Sequence, residues 1–151
     1  MSINSLFNPS FLKKKLTEYK NIDSDKIKNA REIFERWNNL LRTTNKNEKQ
    51  LQTDFLNDIF GDVLGYTYKR GENETNLEKE EKTELDGQKP DGILGFITKD
   101  KKDIRVAIEL KAKNTTNLDT VEKQTFEYRD KIDGIEWVIT SNTNEIRLYS
   151  P

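Results

Sequence analysis

The sequence predicts an α/β domain in which a central mixed sheet is flanked by helices. Three observations carry that expectation. Apolar residues recur at helical spacing in two stretches before Gly65 and in one after Leu118. Two apolar runs flank a charged turn between Pro90 and Lys113, the pattern of a β-hairpin. Two short runs at the end of the chain read as strands. A chain of 151 residues is long enough for one compact domain and hardly for two. We therefore expect a helical segment over 1–45 packed on a core over 46–151.

The N-terminal stretch places Phe7, Phe11, Leu12 and Leu16 at a spacing suited to a short amphipathic helix. Lys13, Lys14 and Lys15 would lie on its solvated face or against phosphate. Ser24-Asp25 then opens a longer helix, with a hydroxyl and an acid where the helix dipole favours them. Ile27, Ala30, Ile33, Phe34, Trp37, Leu40 and Leu41 form its core stripe, and it ends near Thr43. A second helix is expected from about Asn47 to Leu64, with Leu51, Phe55, Ile59, Phe60 and Val63 inward and Gly65 as its cap. Glu48 and Gln52 lie on the same face as Phe55 and Ile59. Glu48 is thus either a first-turn glutamate favoured by the dipole or an acid pointing toward a site. Tyr66-Thr67-Tyr68-Lys69 is expected as the first strand. Residues 71–89 are almost devoid of apolar side chains and read as a solvated, mobile loop, a flap beside substrate with little affinity for phosphate.

In the hairpin, side chains alternate faces. Val106, Ile108, Leu110 and Ala112 fall on one face; Ala107, Glu109, Lys111 and Lys113 fall on the other. Asp91 starts the partner strand, and the hairpin can bring it close to Glu109. Two carboxylates meeting at the end of an apolar sheet cannot both ionise cheaply without help. A hard divalent cation such as Mg²⁺ resolves this, since it takes a few carboxylate oxygens plus water and phosphate. Lys111, two residues further along the same face, can hold or polarise an attacking water. That layout suits metal-assisted phosphodiester hydrolysis.

Past the hairpin, Asn114 to Asn117 form a polar connection, and Asp119 or Thr120 caps a helix running to about Ile132. Gln124 and Tyr128 stack on one face of that helix. Trp137 to Thr140 reads as a buried strand, Ser141 to Asn144 as a turn, and Glu145 to Tyr149 as an outer strand.

The chain has neither cysteine nor histidine. Disulfides, thiol chemistry, histidine triads and histidine–metal sites are excluded, which leaves carboxylate and lysine chemistry. The absence of cysteine fits a cytoplasmic protein. The formal net charge of −1 argues against strong autonomous DNA affinity, which rests on cationic neutralisation of phosphate. No stretch reaches membrane-spanning length, and no secretory apolar region opens the chain.

Pro90-Asp91, a gap, and Glu109-Leu110-Lys111 resemble the signature of the PD-(D/E)XK nuclease superfamily. The surrounding residues (Asp91-Gly92 and Ile108-Glu109-Leu110-Lys111) are most similar to the N-terminal endonuclease domains of type IIG restriction–modification enzymes. The stretch from Glu48 to Leu56, ending in Leu64-Gly65-Tyr66, resembles the first core helix of those nucleases. Gln124-x-x-x-Tyr128 resembles a motif found downstream of their catalytic lysine. The resemblance covers about residues 46–149, most of the chain.

It implies a restriction-endonuclease-like αβββαβ core with an added N-terminal helical segment and a terminal strand. It implies a Mg²⁺-dependent, site-specific deoxyribonuclease domain, with Mn²⁺ able to substitute, acting on double-stranded DNA. Asp91 and Glu109 would hold the metal, with the Leu110 carbonyl as a third ligand and Glu48 joining through water. Lys111 would be catalytic, and Gln124 would steady the lysine or the water. Enzymes of this type continue into a helical connector, a methyltransferase and a target-recognition domain, so the chain is expected to be either a fragment of a longer enzyme or a stand-alone module. Two copies could pair transiently to cut both strands. The competing readings are a repair or junction-resolving nuclease of the same fold, and a catalytically silent nuclease fold serving DNA binding or assembly.

Overall fold

The computed structural model describes residues 10, 13, 14, 17, 24–43, 48–68, 74–79 and 89–150, without the side chains of 48–50, 122–125 and 129. The apolar positions expected of an N-terminal amphipathic helix, Phe7, Phe11, Leu12 and Leu16, lie outside these residues. Helix α1 (Ser24–Thr43) follows the expected span. Only Ile33 and Trp37 of its stripe are fully buried, while Ile27 and Phe34 stay exposed. Trp37 is a core residue, edge-on to Phe55 at 5.4 Å, and its indole N–H donates to Asp58 at 2.9 Å.

The second helix has two parts. α2 (Glu48–Phe55) continues into a π-helical segment (Leu56–Val63). The wider π repeat turns Leu56, Ile59, Phe60 and Gly61 into the core together. Gly65, at φ +84°, stops the segment in the left-handed conformation, as expected of a capping glycine. A Cβ at Gly61 would sit 2.2 Å from the Tyr68 ring, so a larger residue there would displace that half-buried side chain.

A five-stranded sheet runs in the order β1-β2-β3-β4-β5. Its members are β1 (Glu74–Lys79), β2 (Gly92–Thr98), β3 (Lys102–Leu110), β4 (Trp137–Ser141) and β5 (Ile146–Tyr149). β3 and β4 are parallel, connected through α3 (Asp119–Lys131); the other neighbours are antiparallel. The sheet is therefore mixed, with α1, α2 and the π-helical segment on one face and α3 on the other.

Two expectations fail at the first strand. Residues 66–68 form no strand, and Lys69 lies outside the described residues. The strand lies within the stretch expected to be a solvated loop, at Glu74–Lys79, while 71–73 and 80–88 of that stretch lie outside the described residues. A single leucine decides this: Leu77 is 1% exposed and pairs with Leu94 over the helical layer. The polar neighbours of Leu77 are tolerated because β1 is an edge strand. The 66–68 segment is diverted to the core, where Tyr66 and Tyr68 pack, while the Thr67 carbonyl accepts from the Asn76 and Leu77 N–H groups across an irregularity in β1.

The hairpin faces hold as expected from Val106 to Leu110, with a break below. Leu94 pairs with Val106 but Gly95 pairs with Ile104, so β3 carries one extra residue there. The bulge moves Ile104 to the α3 face, beside Ala107, Tyr128 and Val138. It also requires glycine at position 95, where a Cβ would lie 2.1 Å from the Asp103 carbonyl oxygen.

Candidate functional site

β3 outlasts β2 at one end of the sheet, and the site is built at that step. Gly92 is the first residue of β2 and pairs with Ile108, so Asp91 stands opposite Glu109. Within a strand, a residue's N–H and C=O point toward the same neighbour. The Leu110 peptide groups thus face the edge where β2 has not begun, and buried backbone groups need partners. Two side chains stand in for the missing strand. Asp91 Oδ2 accepts from the Leu110 N–H at 2.7 Å, and Gln52 Nε2 donates to the Leu110 carbonyl at 3.1 Å. On the other edge the ladder continues to β4, with the Lys111 N–H donating to the Ser141 carbonyl at 2.8 Å.

Glu109 and Lys111 project to the α3 face, as their spacing requires. Lys111 Nζ lies 2.6 Å from Glu109 Oε1, and the carboxylate is only 5% exposed against 27% for the lysine. The second carboxylate oxygen, Oε2, lies 3.0 Å from the Tyr128 hydroxyl. That hydroxyl also lies 3.1 Å from the Lys89 carbonyl, directly before buried Pro90. Tyr128 thus ties α3, the entry to β2 and the end of β3 to one oxygen atom. A buried ion pair tolerates desolvation only when its remaining lone pairs are also satisfied, and Tyr128 provides this.

The structure brings Asp91, Glu109, Leu110 and Lys111 together at the end of the β2–β3 hairpin. Glu48 opens α2, one turn before Gln52, and Gln124 lies one turn before Tyr128 on α3. The side chains of Glu48 and Gln124 fall outside the described residues. Gln52 is a participant to which sequence reasoning assigned no role. Its signal was its place on the Glu48–Phe55 helical face, but the Leu110 carbonyl it meets is 58 residues away in the chain.

The donor chemistry at this step fits a hard divalent cation. Asp91 and Glu109 offer carboxylate oxygens and Leu110 a carbonyl, and each such oxygen accepts more than one partner. Among the described residues no group of three or more acidic side chains is gathered for an ion. The oxygens that could hold such an ion are therefore two carboxylates and one carbonyl, fewer than Mg²⁺ takes without water or phosphate. A separate groove of about 220 Å³, lined by Phe34, Trp37, Phe55, Ile59 and Ile146 among others, contains none of these residues. Among the described residues no helix is long and apolar enough to cross a membrane. No protein-family model, curated protein or solved structure matches the chain.

Proposed function

We propose that the chain is a Mg²⁺-dependent DNA endonuclease domain, the cleavage module of a type IIG-like restriction–modification enzyme. One observation carries the reading: the aspartate, glutamate and lysine of the Pro90-Asp91…Glu109-x-Lys111 pattern meet at a single step in the sheet, each held by a specific partner. The element order (α2, β1 to β3, α3, β4) supports the finer fold reading, a restriction-endonuclease-like core extended by α1 and β5.

Asp91, Glu109 and the Leu110 carbonyl would hold the cation, with Glu48 joining through water. The bound cation supplies Lewis-acid neutralisation of charge on the phosphodiester. The protein's own residues do the positioning. Asp91 and Gln52 hold the N–H and the carbonyl of Leu110 along the same open edge, fixing the direction in which that carbonyl points. Tyr128 keeps Glu109 aimed toward the sheet end. Lys111, the more exposed partner of the ion pair, orients the attacking water and donates to the phosphate oxygens as charge builds there. Gln124, on the same helical face as Tyr128, steadies the lysine or the water. Double-stranded DNA is the substrate. The net charge of −1 accords with DNA affinity supplied by methyltransferase and target-recognition domains, and with transient pairing of two copies for double-strand cleavage.

The test is relaxation of supercoiled plasmid with Mn²⁺, wild type beside Lys111→Ala. Nicking by wild type and its loss by ~10²-fold or more in the variant is the expected result. Equal cutting by both would remove Lys111 from the chemistry and the reading with it.

A further inference from the structure

Thr140 lies on β4 at the register position of Glu109, and adjacent strands are about 4.8 Å apart. Ala107 pairs with Val138 on the α3 face, so Glu109 and Thr140 share that face, with Tyr128 packed on the same layer. Thr140 is fully buried, and its hydroxyl has no hydrogen-bond partner among the described residues. A buried hydroxyl left unpaired is a defect that valine, the same shape without the oxygen, would remove. Directly beside it, Glu109 has one oxygen on Lys111 and the other on Tyr128.

We infer that Thr140 is a positioning residue held in reserve for a second state of Glu109. The inference rests on the proposed endonuclease reading. In the state described, Lys111 neutralises Glu109 and Thr140 has nothing to donate to. Were Glu109 to help hold a cation, that charge would stand in for Lys111 as its neutralising partner. The carboxylate must then give up the lysine, and the Thr140 hydroxyl is the donor placed to hold it in its new setting. Lys111 is thereby released toward substrate only when the cation is present. The hydroxyl gains the carboxylate as acceptor, the carboxylate gives up the lysine, no covalent bond changes, and Tyr128 stays on Glu109 throughout.

The test compares wild type, Thr140→Val and Thr140→Ser by Mn²⁺ titration, and by melting of the metal-free proteins in EDTA. Thr140→Val should melt at or above the wild-type temperature without metal, because its hydroxyl makes no bond there. It should bind Mn²⁺ about 10-fold more weakly, the lower end of the range for groups that orient a metal ligand. Thr140→Ser, which restores the hydroxyl, should recover wild-type affinity. Wild-type Mn²⁺ affinity in Thr140→Val would overturn the inference while leaving the endonuclease reading intact. A lowered metal-free melting temperature with unchanged Mn²⁺ affinity would make the hydroxyl a structural group and overturn it equally. Failure of wild type to bind Mn²⁺ would remove both.

Discussion

The Glu109–Lys111 pair should respond unequally to loss of its two members. At 2.6 Å the gross attraction is about 6 kcal/mol at an effective dielectric constant of about 20, most of it offset by desolvation. The net value of the pair is therefore small, and what matters is what each deletion leaves behind. Lys111→Met leaves a carboxylate that is 5% exposed without its cation, at a cost of about 3–5 kcal/mol. Glu109→Gln leaves an ammonium that is 27% exposed on a flexible stem that can reach water. Its cost should be about 1–2 kcal/mol, since the Tyr128 hydroxyl still has an amide oxygen to donate to. The double variant should resemble Glu109→Gln alone, giving a coupling energy of about 3–5 kcal/mol, the full cost of Lys111→Met. Urea and thermal unfolding in EDTA measure this, and Lys111→Met should melt lower by on the order of 10 °C. Equal losses of stability in Glu109→Gln and Lys111→Met would show that the buried carboxylate does not depend on its lysine.

Other consequences follow from single contacts. Tyr128→Phe removes one hydroxyl from Glu109 and from the Lys89 carbonyl, and should cost about 1–3 kcal/mol in urea melts. Gln52→Leu frees the Leu110 carbonyl; stability should fall by about 1 kcal/mol, and Mn²⁺ affinity, read by calorimetry, by about 10-fold. Gly95→Ala places a methyl against the Asp103 carbonyl at the β3 bulge and should destabilise by about 1–3 kcal/mol or more, read as an unfolding midpoint shift.

Much of this architecture is legible in the chain because it depends on local spacing. α1 and α3 follow from helical periodicity, and β2 to β5 from four short runs and their turns. The pairing of Glu109 with Lys111 follows from the two-residue period of a strand. What was not legible depends on distant partners. Leu77 alone makes a strand of a polar stretch, because β2 offers it a buried neighbour that no local pattern reveals. The π-helical turn preserves the apolar pattern of an α-helix while shifting its register, so sequence periodicity does not separate the two. Gln52 and Thr140 are ordinary residues in sequence. They acquire meaning only where β3 runs past β2 and where β4 is laid beside Glu109.

On the proposed endonuclease reading, Asp91 serves hydrolysis as well as the fold. Asp91→Asn isolates the two, because an asparagine oxygen can still accept the Leu110 N–H while the charge is gone. The decisive measurement is the single-turnover rate of plasmid nicking with Mn²⁺, compared between wild type and Asp91→Asn proteins whose melting temperatures in EDTA agree within a few degrees. The expected result is a rate loss of ~10²-fold or more in the asparagine variant, with nicking by wild type abolished by EDTA. Wild-type rates in Asp91→Asn, or nicking that persists in EDTA, would contradict it.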